Sequence, residues 1–185
     1  MGKRRKIDMV ILGLLSHEPL TGYDIKKRID GQIHFFWKGS FGSIYPALGE
    51  MEKTGLVSKR EAPINNSARE RIEYSITSAG RKVLEDWLRD SQASNELKYE
   101  TLLKLFFSGN CEKNVAISNI MKFREETEKE LSILKFYEAN LLKVQDEKDH
   151  IYFYLTVLFG IRTYEAYLKW CDEAVEMLES SSAIK

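Results

Sequence analysis

His17, His34 and His150 stand far apart, and Cys111 and Cys171 have no metal-ligand neighbours, so hydrolysis, redox chemistry and metal binding have no constellation to start from. No HExxH, GxSxG, phosphate-cradling glycine loop or paired-cysteine site occurs. Glu125 and Glu126 are adjacent carboxylates, but neighbouring helical positions diverge by about 100°, and the pair reads as solvated charge. The chain is therefore expected not to be an enzyme and to need neither cofactor nor metal. A different chemistry is better supplied. Lys38, Ser40, Ser43 and Tyr45 fall within eight residues, and Arg69 and Arg71 follow. These are the donors that hydrogen-bond phosphate oxygens. Tyr23 and Asn66 complete the candidate set.

The segment that must position most of them is SFGSIYPALGEMEKTG, residues 40–55. Phe41, Ile44, Leu48 and Met51 recur at helical spacing and make one apolar stripe. The opposite side carries Gly42, Ser43, Pro46, Gly49, Glu50 and Lys53, small or polar groups that let a grooved surface approach the backbone, with Tyr45 on the flank. Pro46 disfavours helical geometry before it, so either the helix begins near Ser43 or its first turns are loosened. Gly55 is the expected stop. Upstream, Lys3 to Lys6 form a basic arm, read as a solvated terminus with phosphate contact as the alternative. Ile7, Val10, Ile11, Leu14 and Leu15 predict a first helix buried on most sides. Thr21 and Asp24 form a capping box that opens a second helix with Ile25, Ile29 and Ile33 on one face. The run Phe35, Phe36, Trp37 is expected to pack in the core.

After Gly55 the hydrophobic period changes from helical to alternating. Residues 56–61 and 69–77 predict two strands, the second with Ile72, Tyr74 and Ile76 on one face and Arg71, Glu73 and Ser75 on the other. Pro63 to Ala68 supplies turn chemistry. Thr77 caps a further helix, from which Val83, Leu84, Trp87 and Leu88 are expected to point inward. Three helices followed by strand, tip and strand is the order of a winged helix-turn-helix, in which the third helix enters the DNA major groove and the hairpin lies along the backbone.

The segments GLLSHEPLTGYDIKKRI, GSIYPALGEMEKTGLVSKRE and RIEYSITSAGRKVLEDWL closely resemble the amino-terminal domain of the PadR family of bacterial transcriptional regulators, over roughly residues 7–90. The resemblance implies a DNA-binding winged helix, usually acting as a repressor, with Tyr45 near a phosphate. LLKLFFSG at 102–109 and LKWCDEAVEML at 168–178 resemble the subfamily with a long helical carboxy-terminal dimerisation module, as in a virulence-gene activator related to PadR. This chain departs from many relatives in its wing, INNSARERIEY, which lacks a Gly-Arg pair and leaves Arg69 and Arg71 to supply most of the charge.

Composition agrees with that division. With 43% hydrophobic and 30% charged residues the chain has material for a core and a solvated surface. Its zero net charge conceals 16 Lys/Arg against 12 Asp/Glu in residues 1–90 and the reverse, 12 against 16, in residues 91–185. A basic front half suits nucleic acid, though the excess is modest. Two distant cysteines and the lack of a secretory pattern or membrane-spanning run give a cytoplasmic expectation.

In the second half, Tyr154, Leu158, Ile161, Tyr164, Leu168, Cys171, Val175 and Leu178 step by 4, 3, 3, 4, 3, 4 and 3, close to the repeat of a helix–helix seam, and are assigned to dimerisation. Residues 115–144 form another long helix, whose charged middle, 124–130, is expected to cross solvent. The two long helices are expected both to fold back on each other within one chain and to pair with a second copy.

The resulting expectation is a mainly α protein with a small β-hairpin wing. Residues 1–92 are a winged helix-turn-helix DNA-binding domain, and residues 93–185 a helical dimerisation domain. It would bind double-stranded DNA as a homodimer on an inverted repeat, with no membrane role. An aromatic small-molecule effector is a further reading, its pocket lined by Tyr152, Phe153, Tyr154, Phe159, Tyr164, Tyr167 and Trp170, although rings at this spacing more often form core. The alternative is a winged-helix protein-interaction module without DNA binding, separable by the steep salt dependence that DNA requires.

Overall fold

The computed structural model describes residues 5–37, 44–63, 70–93, 95, 98–144 and 149–181. The chain divides into two compact units, Met1–Asn95 and Glu96–Lys185. It is mainly helical with one small antiparallel sheet.

Helix α1 (Lys6–Leu15) is the centre of the first unit. Met9, Ile11, Leu12, Leu14 and Leu15 are buried, and Ile7 and Val10 pack half-covered against the same core. Because it is apolar on more than one face, elements can surround it. At α2 (Gly22–Arg28) the capping box is present: the Asp24 N–H donates to Thr21 Oγ1 at 3.1 Å, and the Thr21 N–H donates to the Asp24 carboxylate at 3.3 Å. Ile25 and Ile29 are fully buried and Ile33 is half-buried. The coil then widens over Ile29–Ile33, where the His34 N–H reaches back five residues to Ile29 O at 3.1 Å. The aromatic run follows in a turn, so it does not present one continuous face to the core. Phe36 is exposed, and Phe35 and Trp37 are only half-buried, which corrects the expectation of a core cluster.

The described part of α3 is Ile44–Lys53, with Ile44, Ala47, Leu48 and Met51 buried. Phe41 and Gly42 lie outside the described residues. Pro46 is the third residue of the described part of this helix, and it is exposed. Gly55 ends it at φ 72°. The Gly55 N–H donates to Glu52 O at 3.0 Å and the Leu56 N–H to Met51 O at 2.8 Å, the paired bonds of a Schellman stop.

The sheet has three strands rather than the two expected. The wing strands β2 (Val57–Pro63) and β3 (Glu70–Ile76) pair antiparallel, and a short β1 (Leu20–Thr21) adds to the other edge of β3, giving the order β1-β3-β2. Tyr74 is buried and Ile76 packs on the core as expected, but Ile72 is 43% exposed. Its partner is Glu61, towards the wing tip. Glu73, expected on the open face, is only 8% exposed.

Thr77 ties the sheet to α4 (Ser78–Arg89). Its hydroxyl donates to Gly55 O at 2.7 Å and accepts the Gly80 N–H at 3.1 Å. A Cβ at Gly80 would lie 2.2 Å from Leu56 O, so this close crossing requires glycine. Val83 and Leu84 reach the core, but Trp87 and Leu88 are exposed, against expectation. Trp87 instead lies under Lys6 Nζ, 5.6 Å from the ring centre.

The second unit holds α5 (Glu100–Phe106), a short 3-10 turn Ser108–Asn110, α6 (Lys113–Leu141) and α7 (His150–Ser180). Helices α6 and α7 run antiparallel. Lys113 Nζ reaches Ser181 O, Arg124 pairs with Asp172 at 2.8 Å, and Lys135 pairs with Glu165 at 3.4 Å. Their seam buries Ala116, Ile120, Thr127, Leu131, Leu134, Ile161 and Cys171. Within the charged middle of α6, Glu125, Glu126, Glu128 and Lys129 are exposed as expected, while Thr127 is buried in the seam and Arg124 is half-buried. Thr127 satisfies its hydroxyl on Phe123 O at 2.8 Å, and Arg124 reaches across to α7.

Candidate nucleic-acid interface

Tyr45 lies on the second residue of α3 with its ring 64% exposed. Its position depends on Gly22, the first residue of α2. A Cβ there would come within 2.6 Å of Tyr45 Cε1, so the tyrosine ring rests on backbone that only glycine leaves bare. Tyr23, the next residue, is 68% exposed. The starts of α2 and α3 thus each carry an exposed phenol. Beyond Tyr45, α3 shows Pro46, Glu50 and Lys53 to solvent, with Gly49 half-covered. The outward side of this helix has no bulky aliphatic group, and its apolar side is wholly spent on the core. Such a helix can enter a groove without exposing its own packing.

The wing contributes charge through an arrangement not apparent from spacing alone. Arg60 on β2 stands opposite Glu73 on β3 and donates to one carboxylate oxygen at 3.0 Å. Arg71, two residues before Glu73 on the same face, reaches the other oxygen at 2.6 Å. The Arg60 hydrogen bond, with Arg71 beside it, holds the Glu73 carboxyl below the usual carboxylate range. Arg60 was not among the candidates drawn from sequence. The strand register names it, since counting back from Val57↔Ile76 sets residue 60 against residue 73.

Of the remaining candidates, Lys38, Ser40, Ser43, Asn66 and Arg69 lie outside the described residues. In the basic arm, Arg5 pairs with Asp8 at 2.9 Å. The eight residues assigned to dimerisation share the face of α7 turned to α6. Ile161 and Cys171 are buried, while Tyr154, Leu158, Tyr164, Leu168, Val175 and Leu178 are half-buried within the single chain. Large apolar groups remain exposed elsewhere, at Ile151, Tyr152, Phe153, Leu155 and Phe159 on the opening turns of α7, and at Leu103, Phe106 and Phe107 at α5.

The aromatic residues considered for an effector separate into two groups. Tyr164, Tyr167 and Trp170 join Phe123 and Tyr99 in a packed cluster with neighbouring ring centres 5.5–6.4 Å apart. The Tyr99 and Tyr167 hydroxyls are hydrogen-bonded to each other. Burial raises the Tyr99 phenol above its usual range, and burial near the Glu130 carboxylate raises Tyr164 to about 12. Tyr152, Phe153 and Phe159 are exposed and outside this cluster. No group of three or more His, Cys, Asp or Glu residues able to hold a metal ion occurs among the described residues. No helix among them is long and apolar enough to cross a membrane.

Three helices, a strand-paired wing and an outward helix with a small polar face define a winged helix-turn-helix protein. The PadR-like transcriptional regulator family matches residues 11–86, and the virulence activator alpha C-terminal family matches residues 97–179. The first unit thus carries a segment similar to the PadR-like regulators, and the second a segment similar to the virulence activator C-terminal family. It is 25% identical over 183 residues to the negative transcriptional regulator PadR of Bacillus subtilis, covering 95% of this chain and 98% of that protein. The structure of Bacillus subtilis PadR in complex with operator DNA superposes with a TM-score of 0.81 at 26% identity, covering 94% of this chain and 99% of the other. The virulence activator AphA of Vibrio cholerae superposes with a TM-score of 0.72 at 27% identity, covering 95% and 99%.

Proposed function

We propose that this chain is a homodimeric regulator that binds an inverted-repeat operator, most simply as a repressor, and acts by binding and not by catalysis. The observation that carries the reading is the outward side of α3. Its apolar stripe is buried, Tyr45 is exposed and seated on Gly22, and the wing arginines Arg60 and Arg71 lie on the neighbouring sheet. Lys38, Ser40, Ser43, Tyr45, Asn66, Arg69 and Arg71, with Tyr23, would position the fold on phosphates, while α3 meets base edges. The likeness to an operator-bound relative and to a negative regulator supports both the target and the sign of regulation.

The second unit supplies the pairing. Its exposed apolar groups on α5 and the opening turns of α7 form more uncovered apolar surface than an isolated helical pair normally leaves to water. A second copy would cover them, with half-buried Tyr154 and Leu158 at the margin. Tyr152, Phe153 and Phe159 are the rings left for a small aromatic effector or for the partner subunit, and the extent of the surrounding apolar surface favours the partner.

Binding of the full chain to duplexes selected from a random pool tests the function. Tyr45→Ala and Arg71→Ala should each weaken binding about tenfold, on the scale of one lost charge-assisted or phenolic phosphate contact, while the dimer persists. Unchanged binding in both would remove the assigned surface. A protein-only module would retain no duplex even at low salt.

A further inference from the structure

We propose that Glu73 is a positioning residue for the wing, holding Arg60 and Arg71 on one carboxylate so that their charge is withheld from DNA until a phosphate displaces it. The inference rests on the DNA-binding reading above. Each oxygen of the carboxylate takes one guanidinium, Arg60 at 3.0 Å from across the strand pair and Arg71 at 2.6 Å from the same strand. The exposures are unequal: the Glu73 side chain is 10% accessible, against 73% for Arg60 and 53% for Arg71.

The carboxylate sits on the central strand, flanked by Thr21 of β1 and Arg60 of β2. Its cover is the two guanidiniums themselves. The two arginines can turn outward on their long stems without moving either strand. An ordinary exposed ion pair exerts little hold because both partners exchange freely with solvent, whereas here one carboxylate on the central strand takes two guanidiniums at once. Together the three side chains carry a net charge of +1 where two free arginines would carry +2. The wing therefore offers less charge to an arbitrary duplex than its sequence suggests. A phosphate must displace the carboxylate to take either guanidinium, which favours a duplex on which α3 is seated over one met in passing.

The test is the salt dependence of binding by the full-length chain, on one duplex of random sequence and one selected duplex. Glu73→Gln raises the net charge of the three groups to +2, and the slope of log affinity against log salt should steepen by about one unit. If the two curves converge near 1 M salt, that slope corresponds to a gain of roughly eightfold on random duplex at 0.1 M. Preference for the selected duplex should fall. Glu73→Ala, which leaves no amide to bury, should show the same slope and serves if the glutamine variant folds poorly.

Adding Arg60→Gln to Glu73→Gln returns the net charge to +1, so the slope should return to that of the unaltered chain. A merely structural role would not produce that reversal. Unchanged slopes in both Glu73 variants, or a double variant that stays steep, would overturn the proposal while leaving DNA binding intact. If the unaltered chain retained no duplex at low salt, the DNA-binding reading itself would fall.

Discussion

The two units use their apolar residues in opposite ways. In the first, fifteen hydrophobic residues form one buried cluster, and six large ones are exposed among the described residues. In the second, six hydrophobic residues are buried and sixteen large ones are exposed. The first unit surrounds α1 with helices and a sheet and completes its core within one chain. The second is a pair of long helices with a short one added, too thin a layer to cover both sides of itself. A finished core frees α3 to show a partner only its polar side, while an unfinished one asks for a second copy.

The largest effect that sharpens this contrast concerns two glycines. Gly80→Ala should destabilise the first unit by about 3 kcal/mol, because the new methyl meets the Leu56 carbonyl at 2.2 Å and backbone cannot step aside. Gly160→Ala meets the end of the Leu134 side chain at 2.8 Å, which can shift, and should cost about 1 kcal/mol. Urea unfolding of both variants measures the difference, and equal losses would mean that the two cores are equally closed.

Next is Phe159→Ser, at an exposed ring of α7. It should weaken self-association at least tenfold, as expected for an aromatic anchor, while leaving the first unit's melting transition in place. Sedimentation across a concentration series checks it, and a dimer of undiminished strength would place the interface elsewhere.

The smallest effect is alkaline. Tyr164 is raised from 10.0 to about 12 by burial, with Glu130 nearby. The unfolded chain therefore loses this proton at lower pH than the folded chain. The stability linked to it is complete below pH 10 and should fall as pH rises from 10 towards 12. Phenolate absorbance during titration should show a late-titrating tyrosine that Tyr164→Phe removes.

What could be read from sequence follows the same division between local and distant causes. The Thr21–Asp24 capping box, the Gly55 stop and the Thr77 cap depend on residues within a turn of one another, and all three stand where the spacing put them. The short β1 exists only because β3 offers it an edge, and two residues carry no alternation to detect. Glu73 is covered by arginines, one of them on another strand, so alternation alone placed it on an open face. Trp87 and Leu88 obey helical periodicity but lie where α4 extends past the core. The charged middle of α6 is solvated at Glu125, Glu126, Glu128 and Lys129 as spacing suggested, but the pair of Arg124 with Asp172 joins residues 48 apart and could not be read from it. In the candidate interface, the polar side of α3 and Tyr45 were legible from spacing, whereas Arg60 required the strand register and the seat on Gly22 required the packed fold.

The most direct measurement is the mass, by sedimentation equilibrium, of the complex formed on a duplex selected from a random pool. Two chains on one inverted repeat are expected, with the half-sites about one helical turn apart. A single chain bound per duplex, or a selected pool with no repeated half-site, would contradict the account.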